Sequence, residues 1–391
     1  MSSLYKTISL KKHERPINNI KFSPNGDYLF SASSDRTVIK WDYKNCKNCE
    51  VYQHAASINV ICITNSNKYM ISGDSTGSIY VWDIEKNQII NKIVFDTLFN
   101  ISSINLSSND SFLIITFSNR GKSNFNSYVD IYAAEEIIKN NENIKEVGNS
   151  SDKPNIYKHI KCPSEQTKYV KSCFFNFDKS ILIGRQDGYL DMYDFENNNL
   201  LHSEKFHDDE ILDLDTNDEN EIILSSSKDG SISLINMKNF ELVNKFKPTN
   251  PVRLINSCKI AIIENPYYNA LGLNKEITKD SLFDLNMMDL SKLQFIENVE
   301  INEKFKKYKN IKNILLAIVA GGQDRKFVTT TEQKEGGFGI IIYNILTGEK
   351  MPEFGDHFGP INTLAVYKNT LASGGEDASV KVHDINHYIF S

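Results

Sequence analysis

The sequence predicts an all-β protein in which about seven small antiparallel sheets close into a ring, the fold known as a β-propeller. Apolar or alternating runs of strand length recur along the 391 residues and are separated by turn residues, a pattern typical of short strands. A unit with one fixed order of parts also repeats: a histidine, two apolar runs, a tight turn and a last apolar run. A single four-stranded unit cannot bury both of its faces, so we expect neighbouring units to cover them in a closed ring.

The repeat is clearest in three segments, which are 13–42, 54–83 and 207–236. The first reads HERPINNIKFSPNGDYLFSASSDRTVIKWD and the second HAASINVICITNSNKYMISGDSTGSIYVWD. Their histidines, His13 and His54, are 41 positions apart, which lies within the period of about 40–45 residues of WD repeats. The chain is therefore expected to be a WD-repeat propeller.

Fainter copies of the unit fill the remaining length, at 101–133, 169–194, 251–344 and 357–384. Together these make about seven blades, within the usual range for propellers. The segment LYKTISL, residues 4–10, precedes the first histidine. We expect it to supply the outer strand of the last blade, so that the two ends of the chain close the ring together.

The histidine, serine, aspartate and tryptophan of each unit are predicted to form a hydrogen-bonded structural tetrad. In a WD repeat the turn aspartate accepts from the histidine, which meets the serine, which meets the indole N–H, so that four buried polar groups are satisfied. Thr76 stands at the aspartate position of the second unit, and His383 at the tryptophan position of the seventh. The predicted tetrad residues are His13, Ser31, Asp35, Trp41, His54, Trp82, Asp187, His207, Ser225, Asp229, His357, Ser373 and Asp377.

A catalytic interpretation of these residues is weaker than the structural one. A catalytic triad needs one unique constellation beside a cleft, whereas the same spacing recurs here in several units. The sequence therefore predicts a protein that is not an enzyme.

Metal and cofactor sites are not expected either. Cys46 and Cys49 form one CxxC, but a structural zinc site needs four ligands. The segment 213–224 alternates acidic residues like a calcium loop, yet Asp218 replaces the required glycine and Leu224 the bidentate glutamate.

Composition narrows the class of partner. A formal net charge of -6 and a pI near 5.8 give no positive patch for direct binding of nucleic acid. The sequence shows no apolar run of the roughly 20 residues that a membrane span requires and no signal-peptide pattern at its start. We expect a cytoplasmic protein that binds other proteins and neither nucleic acid nor membranes.

Two segments interrupt the single propeller domain expected over residues 1–391. A polar insertion occupies 133–160, and a longer one occupies 265–313 within the sixth blade. Within the longer insertion, residues 281–296 could form an amphipathic helix against a blade or a partner.

Beyond the repeats, the sequence resembles subunit i of eukaryotic translation initiation factor three, a family of propeller subunits. The segments that carry the resemblance are 12–31, GGQDRKFVTTTEQKEGGFGIIIYN (321–344) and HFGPINTLAVYKNTLASGGEDASVKVHD (357–384). The threonines at 329–331, after a double glycine, are specific to that family, and His383 resembles its last blade.

The resemblance implies a scaffold that is monomeric itself and part of a hetero-oligomer. Such a subunit is held by the C-terminal segment of subunit b and contacts subunit g, and it reaches the small ribosomal subunit through the complex. These contacts are carried mainly by the fifth and sixth blades, which points to Asp213, Lys228 and Asp229 on this chain.

The competing hypothesis is the propeller of a ubiquitin ligase or of a signalling adaptor. Such proteins usually carry a recruiting domain before the ring, whereas the first blade here is expected to begin near residue 13. An enzyme is the third candidate, and no unique site supports it.

Overall fold

The computed structural model describes residues 7–95, 97–119, 127–139, 154–163, 167–247, 254–264, 313–322, 338–355 and 357–390. The described residues form seven antiparallel sheets arranged as the blades of a propeller. This architecture confirms the predicted all-β, seven-bladed fold.

The first three blades each have four strands, numbered along the chain. A short strand that precedes them, β1 (Thr7–Lys11), belongs to the last blade. The strands of these three blades are β2 (Ile17–Phe22), β3 (Leu29–Ser33), β4 (Thr37–Asp42), β5 (Lys47–Gln53), β6 (Ile58–Ile63), β7 (Tyr69–Asp74), β8 (Ser78–Asp83), β9 (Gln88–Val94), β10 (Phe99–Leu106), β11 (Phe112–Asn119), β12 (Tyr128–Ala133) and β13 (Ile156–Lys161).

The remaining four blades follow the same order from the ring centre outwards. Two short helices, α1 (Ala134–Ile138) and α2 (Ile385–Phe390), follow β12 and the last strand. The strands are β14 (Tyr169–Phe175), β15 (Ser180–Arg185), β16 (Tyr189–Asp194), β17 (Leu200–Lys205), β18 (Ile211–Asn217), β19 (Ile222–Ser227), β20 (Ile232–Asn236), β21 (Leu242–Phe246), β22 (Leu254–Glu264), β23 (Asn313–Gly322), β24 (Ile340–Asn344), β25 (Ile361–Tyr367), β26 (Thr370–Gly375) and β27 (Ser379–Asp384).

The ring closes through the N-terminal strand, as the sequence predicts. Strand β1 pairs antiparallel with β27 from Thr7↔His383 to Lys11↔Ser379. The seventh blade therefore contains three strands from the end of the chain and one from its start, so that strand pairing holds the two ends of the chain together.

The hydrophobic core lies between blades, and one apolar cluster occupies each of the seven boundaries between neighbouring blades. At the closing boundary, Leu10 and Val382 of the seventh blade pack with Ile20 and Trp41 of the first. Each blade thus buries both of its faces against its neighbours, which is the burial that a lone sheet cannot achieve.

Close approach of the blades depends on small residues in the second strand. A Cβ added to Gly374 would lie 2.6 Å from side-chain atoms of Ile17 and Ile20 in the next blade. Gly73 faces Ile101 in the same way at 2.6 Å. The small residues therefore allow an isoleucine from the first strand of one blade to pack closely against the second strand of the preceding blade.

The sixth blade departs from the expected four strands. Its sheet contains β22, β23 and β24, and residues 350–354 join β24 only through the bridges Tyr343↔Lys350 and Ile340↔Phe354. Pro352 lies between these bridges. Because proline has no backbone N–H to donate, it interrupts the ladder there.

Described elements lie at the edges of both predicted insertions. In the segment 133–160, Ala134 and Ile137 of α1 are buried, and β13 begins at Ile156 as the outer strand of the third blade. Strand β23 likewise begins at Asn313. Residues 140–153, residues 265–312 (with the possible helix at 281–296) and residues 323–337 (with the three threonines) lie outside the described residues.

No helix in the described part of the chain is long and apolar enough to cross a membrane.

Replacing Leu10 with alanine should weaken the closing boundary. The Leu10 side chain is 3% exposed within the apolar cluster between the seventh and first blades, so Leu10→Ala is expected to lower the free energy of unfolding by about 2–5 kcal/mol. Urea unfolding followed by circular dichroism would measure this. The neighbouring Lys11 is exposed, and Lys11→Ala should change stability by less than about 0.5 kcal/mol. Equal midpoints for both variants would contradict closure by β1.

Candidate functional site

The complete tetrad of the first blade joins four groups from a loop, a turn and two strands. Trp41 Nε1 donates to Ser31 Oγ at 2.8 Å, and Ser31 Oγ lies 2.7 Å from His13 Nε2. His13 Nδ1 lies 2.7 Å from Asp35 Oδ2. Because the indole can only donate, the serine accepts from it and donates to His13 Nε2, so His13 Nδ1–H donates to the aspartate. The chain of bonds ties the tight turn to the loop that enters the blade.

The aspartate of this tetrad is a strongly stabilised anion. Burial alone would raise the pKa of Asp35, but hydrogen bonds from His13 and Thr37 and the backbone N–H of Glu14 hold that pKa well below its usual range. The Thr37 hydroxyl donates to Asp35 Oδ1 at 2.6 Å. The carboxylate therefore orders both the turn and the loop.

The seventh blade repeats the histidine, serine and aspartate geometry. His357 Nε2 lies 2.9 Å from Ser373 Oγ, and His357 Nδ1 lies 3.0 Å from Asp377 Oδ1. His383 occupies the tryptophan position, where its Nδ1 lies 3.3 Å from Thr7 Oγ1 on β1. The histidine that stands in place of tryptophan thus links the last strand of the seventh blade to the closing strand β1.

In the fifth blade a second serine connects the histidine to the aspartate. His207 Nε2 lies 2.8 Å from Ser225 Oγ, and His207 Nδ1 lies 2.9 Å from Ser231 Oγ. The Ser231 hydroxyl lies 2.6 Å from Asp229 Oδ1, while the nearest direct approach of His207 to Asp229 is 3.6 Å.

In the second blade the tryptophan, serine and histidine bond as in the first, but a different aspartate caps the turn. Trp82 Nε1 donates to Ser72 Oγ at 3.0 Å, and that hydroxyl lies 2.8 Å from His54 Nε2. The turn is capped by Asp74, whose Oδ1 accepts from the Thr76 hydroxyl at 2.7 Å. Burial lowers the pKa of His54 to about 3, helped by the charge of Lys92. Sequence reasoning missed Asp74 because it lies two positions before the expected aspartate.

Asp187 in the fourth blade does not join a histidine tetrad, which corrects the expectation. Arg185 Nε donates to Asp187 Oδ1 at 3.0 Å, and the Arg185 guanidinium also reaches Asp191 at 3.5 Å. The tryptophan position holds Tyr193, whose hydroxyl lies 3.0 Å from that of Tyr169. An arginine replaces the histidine here because the loop into this blade carries none.

A histidine–aspartate pair that the sequence pattern did not reveal lies in the third blade. His159 Nδ1 approaches Asp130 Oδ1 at 2.5 Å, and the Tyr132 hydroxyl donates to Asp130 Oδ2 at 3.0 Å. His159 lies on the outer strand, far in sequence from the usual histidine position, so the repeat pattern gave no signal for it.

These polar sets recur around the ring in variant forms, and each ties neighbouring segments of one blade together. Catalysis would require a single constellation beside a cleft, whereas this arrangement is repeated. Among the described residues no group of three or more histidine, cysteine, aspartate or glutamate side chains is placed to hold a metal ion. Cys46 and Cys49 are free thiols at the surface.

The central channel is lined by the first strands of the blades, and asparagines join these strands to one another. Asn18 Nδ2 donates to the carbonyl oxygen of Ile58 at 2.7 Å, and Asn59 Nδ2 donates to that of Ile101 at 3.0 Å. Asn362 closes the ring by donating to Ile17 at 3.0 Å. Each asparagine sits at a bulge in its strand, where the extra residue turns its side chain toward the next blade.

Asp213 lies in this channel, which corrects its expected place on a partner-binding face. The residue is 5% exposed, and its carboxylate pairs with Lys171 at 3.1 Å and with Lys259 at 2.8 Å. Ser257 Oγ also donates to it at 2.7 Å. Burial alone would raise the pKa of Asp213, but the two lysine charges hold that pKa well below its usual range. The carboxylate therefore joins the fourth, fifth and sixth blades.

Asp229 is not available to a partner either, because its carboxylate is held by Ser231 and by the backbone N–H of Asp208 at 2.8 Å. Lys228 is partly exposed beside it. The exposed acidic groups of this loop are Asp208 and Asp209. We call Asp208, Asp209, Glu210 and Lys228 the fifth-blade rim.

Removing the aspartate of the seventh-blade tetrad should cost stability rather than a chemical activity. Asp377→Ala leaves His357 and the Phe358 N–H without their acceptor, so we expect a loss of about 1–3 kcal/mol. Chemical unfolding at pH 7 would measure it. A variant that folds with unchanged stability would contradict the structural role.

The low pKa values of the tetrad aspartates predict that acid destabilises the folded chain. The folded-state pKa values of Asp35, Asp229 and Asp377 lie below the unfolded value of 3.8, so their stabilisation is present above pH 3.8 and is lost as pH falls below it. Unfolding midpoints measured from pH 6 to pH 2 should fall less for Asp377→Ala than for the unaltered chain.

Asp213→Ala should be more damaging than removal of an exposed aspartate from the same blade. Without Asp213, the ammonium groups of Lys171 and Lys259 lose their shared partner in the channel, and breaking a buried pair typically costs about 3–5 kcal/mol. Asp208→Ala, at an exposed position, should cost less than about 0.5 kcal/mol. Similar unfolding curves for the two variants would contradict a buried ionic link between blades.

Comparison with known proteins agrees with this structure. The family described as WD domain, G-beta repeat matches residues 4–42, 46–83 and 198–236. Eukaryotic translation initiation factor 3 subunit I of Kluyveromyces lactis is 24% identical over 98% of this chain and 93% of its own length. The subunit of Schizosaccharomyces pombe is 24% identical over 98% of both chains, and that of Xenopus tropicalis is 23% identical over 96% and 95%. The chain is thus a WD-repeat propeller that resembles subunit I of eukaryotic translation initiation factor 3 over almost its whole length.

Proposed function

We propose that this protein is a non-enzymatic interaction scaffold that acts as subunit i of translation initiation factor three in the cytoplasm. In this role it holds the C-terminal segment of subunit b and contacts subunit g while the initiation complex assembles on the small ribosomal subunit. The observation that carries the proposal is the similarity to initiation-factor subunits from one end of the chain to the other. Relatives of this kind support a role in translation initiation.

The placement of the polar side chains supports a scaffold. Several of the buried histidines and aspartates hold loops and turns, as His13 and Asp35 do at 2.7 Å. A ring fixed in this way presents rigid faces, and rigid faces reduce the entropy that a partner loses on binding.

The fifth-blade rim is the proposed contact for a basic part of the partner. Asp208 and Asp209 are exposed, and Glu210 beside them is partly exposed. Opposite charges across such a rim accelerate encounter more than they add to affinity. The rim replaces Asp213 and Asp229 in the proposal because those two carboxylates already have partners inside the ring.

Exposed apolar side chains at the ends of the outer strands away from the rim offer a separate kind of contact. Leu200 and Leu201 on β17 are 51% and 47% exposed, and Leu242 on β21 is 47% exposed. An amphipathic helix buries its apolar face against such side chains.

Affinity capture from an extract of the source cells tests the proposal. The tagged full-length chain should retain subunits b and g as the main proteins identified by mass spectrometry. Asp209→Lys should reduce recovery of subunit b about two- to tenfold, and more strongly at low salt, because the rim steers a basic segment.

Glu219→Lys supplies the matched control. Glu219 is exposed in the turn between the first two strands of the same blade, at the opposite face of the ring. Recovery with this variant should equal that of the unaltered chain. Equal recovery with Asp209→Lys would remove the rim from the proposal, and capture dominated by ubiquitin-ligase components would favour the competing scaffold function.

A further inference from the structure

The central channel contains a chamber of about 330 Å³ whose lining is charged. Three lysines from three different blades border it, and so do two aspartates of the fifth blade. These charged groups are Lys21, Lys171, Lys259, Asp213 and Asp215. The hydroxyl-bearing residues Ser102, Thr216 and Thr363 line the same chamber. The lining therefore offers hydrogen-bond donors as well as charge.

The positive and negative charges in this chamber do not balance. Lys171 and Lys259 share Asp213 at 3.1 and 2.8 Å, and Lys259 also approaches Asp215 at 3.7 Å. Lys21 pairs with no carboxylate within ion-pair distance in the described part of the chain. Three ammonium groups against two carboxylates leave one excess positive charge.

Among the described residues that line the chamber, no further carboxylate offsets that charge. Burial raises the pKa of the Cys173 thiol to about 12, and it raises the pKa of Cys62, which lies near Lys21, to about 12 as well. Both thiols therefore remain neutral near pH 7. Burial also lowers the pKa of Lys21, and the charges of Lys259 and Lys171 lower it further. Lys21 thus faces the like charges of Lys171 and Lys259 in a partly desolvated space.

We propose that the channel chamber is a binding site for a small phosphate-type oxyanion, with Lys21 as the residue that supplies its uncompensated positive charge. A phosphate group has several acceptor oxygens, which suits a chamber where ammonium and hydroxyl groups converge from separate blades. Lys171 and Lys259 remain paired with Asp213, and their positive charges add to the electrostatic attraction for the anion. A site of this kind would draw the first, fourth and sixth blades toward one ligand.

Binding can be measured on the full-length chain by isothermal titration calorimetry with inorganic phosphate, at constant ionic strength. A phosphomonoester, ribose 5-phosphate, forms a second arm that distinguishes free phosphate from phosphate carried by an organic molecule. We expect saturable binding of at least one of them. Lys21→Met should weaken that binding roughly tenfold or more, because it removes a charged hydrogen-bond donor.

Two further variants separate a site from a general effect of charge. Lys21→Arg keeps the positive charge and should retain most of the affinity. Lys47→Met removes an exposed lysine from the outer strand of the same blade and should leave binding unchanged. Circular dichroism checks that each variant is folded, and Lys21→Met should fold because it relieves repulsion in the chamber.

Three results would overturn the proposal. The first is the absence of saturable binding of both phosphate compounds. The second is an equal response to chloride at the same ionic strength. The third is binding that Lys21→Met leaves intact.

Discussion

Everything in this molecule depends on the burial of each blade by its two neighbours. A four-stranded sheet with apolar residues on both faces cannot be stable alone, and here each boundary between blades holds one apolar cluster. The last boundary exists only if the first and last blades meet. The pairing of β1 with β27 holds the first and last blades together, because it places residues 7–11 within the final sheet. The closed ring then has fixed faces, which is the property that a scaffold needs.

Polar groups determine the positions of the loops on this apolar framework. A buried donor or acceptor without a partner costs about 1–3 kcal/mol, so hydrogen bonds between a turn and its loop favour one arrangement of both. The blades form their hydrogen bonds with different residues. His13 and Asp35 pair in the first blade, Arg185 and Asp187 pair in the fourth, and His383 reaches Thr7 in the seventh. Different residues thus hold the turns of different blades, and in the second blade Nδ1 of His54 has no hydrogen-bond partner among the described residues.

The channel and the rim use charge in opposite ways. Inside the ring, Asp213 lies between two lysines, and its loss would remove the partner that they share. At the rim, Asp208 and Asp209 face solvent, where their charge is free to attract a partner. The same residue type thus stabilises the ring in one place and is available for recognition in the other. Burial decides between the two roles.

The sequence by itself determined the fold, the number of blades and the closing strand, because these follow from local periodicity and a repeated spacing. It also indicated His13, Ser31, Asp35 and Trp41 as one group, since the repeat brings them to fixed positions in a blade. Only the tertiary structure decided the surroundings of Asp213, Lys21 and His159. The partners of Asp213 come from the fourth and sixth blades, Lys21 meets the other charges only in the channel, and His159 reaches Asp130 from an outer strand. Sequence patterns describe what lies within one blade, whereas the channel is built by the packing of all seven.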